Sequence, residues 1–137
     1  MRIGIHHLDL VVSSLERSLP LYRELLAMLG YHRSGEIVGE RDERVVYLAG
    51  DGCVAIGLRE AQSAQAYDRY AAGLHHVAFE ASSRETVDAC LRWARERGMR
   101  IENDPREWSY MPGYYAGFFH DPDGIKLEVV HVPPAKD

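Results

Sequence analysis

Two histidines stand at matching places in a repeated segment, and a glutamate near the far end of the chain has the chemistry to join them. Gly4-Ile5-His6-His7-Leu8 is echoed by Gly73-Leu74-His75-His76-Val77, an offset of 69 positions from His7 to His76. Side chains of an extended strand alternate between its faces, so His7 shares a face with Asp9 and Val11 and leaves Leu8, Leu10 and Val12 to the other. By the same alternation His76 faces away from Val77 and Phe79. On the last strand-like run Leu127 and Val129 suit a helix-covered face, which turns Lys126, Glu128 and Val130 to the open one. Two imidazoles and one carboxylate, with the remaining positions left to water or substrate, suit one divalent ion of Fe, Mn, Ni or Zn. A strand histidine taken singly is more often a hydrogen-bonded structural residue; the symmetric pair together with Glu128 is what points to metal.

Proton transfer beside such an ion falls to Glu128 itself, to Asp9 or Glu80 on the same strand faces, or to Tyr115. Tyr110, Tyr114 and Tyr115 flank Met111-Pro112-Gly113, and Arg106-Glu107-Trp108 precede them as candidates for the mouth of a cleft. His6 and His75 are expected to turn towards a helix or an edge, and His120 and His131 to be surface residues at strand ends.

The elements that would position these side chains also come twice. Residues 4–12 read as a strand, followed by Ser13 and Glu16 at capping-box spacing and by Leu15, Leu19, Tyr22, Leu26 and Leu29 on one helical stripe that stops at Gly30. Pro20 lacks the N–H that a helix interior needs, so the regular helix is expected to begin near Ser18. In the second half, strand 73–81 leads to Ser83, then to Val87, Leu91 and Ala94, with Gly98 as the stop. Strand-like runs follow at about 31–39, 43–49 and 53–59, and again at about 99–103, 114–120 and 125–132. Asp51-Gly52 and Asp121-Pro122-Asp123-Gly124 are the turns that join the last two runs of each half. The expected fold is α+β: two βαβββ modules, about 1–60 and 73–132 of a single domain, pairing into a curved mixed sheet around a metal-binding cleft. Segment 60–72 is the linker, and the tail from Pro133 carries no pattern.

The chain resembles the vicinal oxygen chelate superfamily of glyoxalases, bleomycin resistance proteins and extradiol dioxygenases. The likeness is carried by His7-Leu8-Asp9-Leu10-Val11-Val12, His76-Val77-Ala78-Phe79-Glu80 and Asp121-Pro122-Asp123-Gly124-Ile125-Lys126-Leu127-Glu128. It implies that His7, His76 and Glu128 are metal ligands and that the substrate is a small molecule chelated through vicinal oxygens, with isomerase, lyase and dioxygenase chemistry all open. Glyoxalase I-like members carry a fourth ligand on the last strand of the first half. Here that place in Ala55-Ile56-Gly57-Leu58 belongs to Gly57, which argues against strict glyoxalase I chemistry and against methylmalonyl-CoA epimerase. The resemblance also implies a homodimer, in some relatives with a cleft built from two chains. The alternative is a metal-free binding or sequestration protein of the bleomycin-resistance type.

Composition narrows the partners. A chain of 137 residues with 46% hydrophobic and 27% charged residues is long enough for a real core. A formal net charge of −5 offers no overall field for nucleic acid phosphates. No apolar run is long enough to span a bilayer and no secretory leader pattern opens the chain, so a cytoplasmic protein is expected. Cys53 and Cys90 are expected to be buried, reduced thiols.

Overall fold

The computed structural model describes residues 4–134, so positions 1–3 of the first module and 135–137 of the patternless tail lie outside it. The chain divides into two compact units, 1–65 and 66–137, with the boundary inside the expected linker. Both are βαβββ modules.

The first contains β1 (His7–Val12), α1 (Leu15–Met28), β2 (Arg33–Val38), β3 (Arg44–Ala49) and β4 (Ala55–Glu60). The second contains β5 (Val77–Glu80), α2 (Arg84–Glu96), β6 (Arg100–Glu107), β7 (Tyr115–His120) and β8 (Lys126–His131). The expected mixed sheet is present as two open four-stranded sheets, ordered β1-β4-β3-β2 and β5-β8-β7-β6. In each, the first and last strands of the module pair in parallel and the other neighbours run antiparallel. The first strand is therefore an edge strand beside the last one, and this brings residues about fifty positions apart onto adjacent backbones.

Burial follows the alternation read from the sequence. In the first module Leu10, Val12, Leu19, Tyr22, Leu25, Leu26, Ile56 and Leu58 are buried. In the second, Phe79, Val87, Cys90, Leu91, Ala94, Phe119, Leu127 and Val129 are buried. Here α2 packs closely enough that a side chain at Gly117 would have its Cβ 2.6 Å from Leu91 Cγ, which explains the glycine in the middle of β7.

Several boundaries differ from expectation for definable reasons. β1 and β5 are shorter than the runs 4–12 and 73–81, because their ladder partners begin only at Ala55, opposite His7, and at Leu127, opposite Val77. Helix α1 begins at Leu15 rather than near Ser18, and its cap is Ser14 rather than Ser13: the Ser14 hydroxyl accepts from the Arg17 N–H at 3.2 Å. Another free donor of that first turn, the Leu15 N–H, is taken by Glu60 Oε1 at 3.1 Å. Pro20 thus lies inside the helix on an exposed face, its cost outweighed by burial of Leu19 and Tyr22 on either side. Cys53 is half-buried and its thiol donates to the Asp51 carbonyl at 3.6 Å. Cys90 is fully buried, which pushes its thiol up to about 11. No helix among the described residues is long and apolar enough to cross a membrane.

Pro20→Ala restores an amide able to bond the Glu16 carbonyl and removes no buried surface. It is expected to stabilise the fold by about 1–3 kcal/mol, less the backbone freedom returned to the unfolded chain. Urea unfolding of the two proteins reads this as a shift in midpoint at unchanged slope.

Candidate functional site

In the second module the parallel pairing of β5 with β8 sets Ala78 opposite Glu128, and the antiparallel pairing of β7 sets Phe118 on its other side. Leu127 and Val129 point to the helix, so Glu128 points to the opposite face. It is only 2% exposed. His76, immediately before β5, brings Nε2 to 3.1 Å from Glu128 Oε1. The Tyr114 hydroxyl donates to Oε2. Burial and this bond push the Tyr114 phenol well above its ordinary range, so it remains a donor.

The backbone ahead of His76 is held from the linker. The Tyr67 hydroxyl lies 2.7 Å from both the Leu74 and His75 carbonyls. Aromatic rings line the approach to Glu128. Phe118 meets the His76 ring at 6.3 Å between centroids and Trp108 at 5.3 Å. Tyr110 stacks on Trp108 and meets Tyr114 edge-on. Trp108 Nε1 donates to the Ala116 carbonyl at 2.9 Å, and the Arg106 guanidinium lies 3.7 Å from the Trp108 ring centre. Arg106 and Trp108 thus belong to this aromatic wall, whereas Glu107 pairs outward with Arg84.

Tyr115 does not join this group. Its hydroxyl donates to Asp88 Oδ1 at 2.5 Å, and that bond together with burial raises its pKa to about 12 against the opposing charge of Arg84, which lies over its ring. Strand parity separates the two tyrosines: Tyr114 is in phase with Ala116, Phe118 and the Glu128 face, while Tyr115 is in phase with Gly117, Phe119 and the helix. That parity was present in the sequence and would have selected Tyr114. Glu80 is exposed at the end of β5. His120 is not an ordinary surface residue either: Nδ1 lies 3.2 Å from the Gly124 carbonyl and Nε2 3.0 Å from Glu102 Oε1. His131 bonds the Ala81 carbonyl at 2.9 Å.

In the first module His7 opens β1 on an exposed position, its Nδ1 2.9 Å from that of His6. His75 and His76 repeat that neighbouring contact at 2.8 Å, so His6 and His75 interact with the candidate ligands rather than with a helix. Asp9 lies opposite Gly57 and is paired with Arg59, which also reaches Glu40 and Glu43 at 3.4 Å. A Cβ at Gly57 would fall 2.3 Å from Asp9 Oδ1. Each module therefore has one carboxylate at this cross-strand position, but on opposite strands: β4 lacks it and β1 supplies it in the first, β8 supplies it and β5 carries Ala78 in the second.

The structure thus brings His76 and Glu128 together. Among the described residues no group of three or more His, Cys, Asp or Glu side chains is gathered as a metal site. The pair itself fits a divalent cation. Glu128 is a buried carboxylate whose partners are an imidazole and a phenol, with no Lys or Arg of the described residues paired to it, and a buried anion of that kind calls for a compensating positive charge.

A family model described as the glyoxalase/bleomycin resistance protein/dioxygenase superfamily matches residues 4–129. An uncharacterised Bacillus subtilis protein, YqjT, is 34% identical over 131 residues, covering 92% of this chain and 97% of its own. A glyoxylase/bleomycin resistance protein/dioxygenase domain from Frankia superposes with a TM-score of 0.76 at 25% identity, covering 97% of this chain and all of that one. The fosfomycin resistance protein FosX from Listeria monocytogenes shares the fold, with a TM-score of 0.67 at 20% identity over 97% of this chain and 96% of its own.

Two outcomes follow from this geometry. Alanine in a strand interior normally gains about 0.5–1 kcal/mol over glycine, but Gly57→Ala displaces the Asp9 carboxylate from Arg59. The gain should appear only in an Asp9→Ala background, and a double-mutant cycle by denaturant unfolding measures the coupling. Burial alone would raise the Glu102 pKa, but bonds from Lys126, Arg69 and His120 outweigh it and hold the carboxyl at about 2. A depressed carboxyl contributes stability above its unfolded pKa and loses it as pH falls through the folded value. The melting-temperature gap between wild type and Glu102→Gln is expected to be widest near neutrality and to close between about pH 4.5 and 2.

Proposed function

Because the chain belongs to the glyoxalase/bleomycin resistance protein/dioxygenase superfamily, we propose that it is a metal-dependent enzyme acting on a small substrate through two neighbouring oxygens. The observation that carries this reading is Glu128: a carboxylate 2% exposed, fixed by His76 and Tyr114 and with no Lys or Arg of the described residues paired to it. His76 and Glu128 would hold the ion; His7, the third ligand that the resemblance implies, belongs to the first unit. When bound, an Fe, Mn, Ni or Zn ion supplies Lewis acidity at the substrate oxygens.

The chain's own residues do the rest. Tyr114 orients the Glu128 carboxylate and keeps a proton on its hydroxyl, the raised pKa making that proton available as a hydrogen bond rather than as a free acid. Tyr114 therefore takes the phenol role that parity denies to Tyr115. Phe118 and Trp108 exclude water from one side of the pair, strengthening its electrostatics. Tyr67 acts through the backbone, fixing the peptide groups that precede His76. The same aromatic wall is the feature that favours the other reading, a metal-free binder of flat apolar molecules.

Elemental analysis of untagged protein prepared without chelator tests the choice, with His76→Ala and Glu128→Ala alongside. About one transition metal per chain is expected in the wild type, with the content lost in both variants. A wild type that stays metal-free after reconstitution with each of Fe(II), Mn(II), Ni(II) and Zn(II) overturns the enzyme reading and leaves the binder.

A further inference from the structure

Two residues before Glu128, and on its face of the sheet, lies a set of charges that the metal site does not use. Glu102 Oε1 accepts from Arg69 Nη1 at 2.7 Å, and Oε2 lies 2.8 Å from Lys126 Nζ. His120, the registered partner of Lys126 across β7–β8, adds its Nε2 at 3.0 Å. One carboxylate thus serves two permanent cations, and both His120 nitrogens face oxygen acceptors.

The cluster is built rather than incidental. The β6–β7 register slips between Ile101 and Asn103, which makes Glu102 the extra residue of a bulge and turns its carboxylate out of the ladder. The cations are largely withdrawn from water: the Lys126 side chain is 14% exposed and that of Arg69 27%. Lys126 Nζ lies 4.7 Å from the centre of the Phe118 ring, the same ring that meets His76. The uncompensated positive charge therefore borders the His76–Glu128 pair, about 7 Å along the strand from Glu128.

We infer that Lys126 and Arg69 form an anion subsite beside Glu128 on the same face of the sheet, so that the substrate carries a carboxylate, phosphate or phosphonate group a few bonds from the oxygens presented to the metal. This deepens the proposed function and rests on it for the word substrate, but the anion site itself belongs to the protein alone. The Lys126 ammonium has three donors, of which Glu102 takes one. An incoming anion accepts from those left and from Arg69, in surroundings where a desolvated cation binds an anion more strongly than a surface lysine does.

The test is calorimetric titration of the full chain with inorganic phosphate, in chelator and again after metal loading, for wild type, Lys126→Met and Glu102→Gln. The wild type is expected to bind phosphate in both conditions, Lys126→Met to weaken it by about tenfold or more, and Glu102→Gln to tighten it by removing the competing carboxylate. Circular dichroism confirms that each variant is folded; if Glu102→Gln is not, the comparison of wild type with Lys126→Met decides alone. Phosphate binding that is absent, or equal in wild type and Lys126→Met, overturns the subsite. Binding that needs metal and ignores Lys126 places the anion on the ion, refuting the subsite while leaving the metal reading intact. A Lys126-dependent affinity in a protein that takes no metal upholds the subsite and refutes the metal.

Discussion

A carboxylate removed from water is costly unless its oxygens find partners, and the second module is organised around one held by an imidazole and a phenol with no lysine or arginine paired to it. Glu128 is placed by the parallel ladder of β5 and β8 and hemmed in by Ala116, Phe118 and Val130. It keeps two weakly polar neighbours, His76 and Tyr114, in place of the arginine or lysine that a structural carboxylate usually recruits. The lysine on the same strand, Lys126, is tied to Glu102 instead. That distribution leaves the buried carboxylate without a lysine or arginine, and the surrounding features bear on it: the tyrosine bonded to it, the aromatic wall beside it and the linker tyrosine that fixes the backbone of its partner histidine.

The two modules share a scaffold but have divided the work. At the equivalent cross-strand positions the first has Asp9 facing Gly57 and the second has Ala78 facing Glu128. The carboxylate of the first is half-exposed and matched with Arg59, itself shared with Glu40 and Glu43. An acid salt-bridged to arginine and a buried one bonded to an imidazole and a phenol are different reagents, although the backbone beneath them is the same. The permissive residue in each pair is small, because two side chains cannot fill one inter-strand space.

Much of this was legible in the sequence because it is written in periodicities. The repeat, the alternation in β1, β5 and β8 and the Asp-Pro-Asp-Gly turn specify two βαβββ modules and put His76 and Glu128 on one face. What periodicity does not encode is where a ladder or helix begins. Strand onset depends on the partner: His6 and His75 are extended in pattern yet precede the first registered pair of their ladders. Helix onset depended on Ser14 and on Glu60, a side chain from a distant strand, so the local penalty at Pro20 misled by three residues. Tyr114 was missed for a different reason. Tyr110, Tyr114 and Tyr115 all flank the same loop, and only the phase with Phe118 and Glu128 separates Tyr114 from Tyr115. The Glu102 cluster was illegible, since it depends on a bulge, and a bulge leaves no alternation to read.

The turn between β7 and β8 carries a further consequence. Its Asp121 carboxylate is buried and accepts the Asp123 and Ile125 amides at 2.8 and 2.9 Å, locking the number of residues between the two strands. Because side chains alternate, that number works as a parity bit: one residue gained or lost there would send Glu128 in among Val87 and Leu91 and bring an aliphatic neighbour up beside His76. The loop before β7 sets no such parity for β8, so apart from Trp108, Tyr110 and Tyr114 its length and composition can drift. In this module the freedom to acquire new substrates therefore lies on the β6–β7 side, while the β7–β8 turn must be inherited intact.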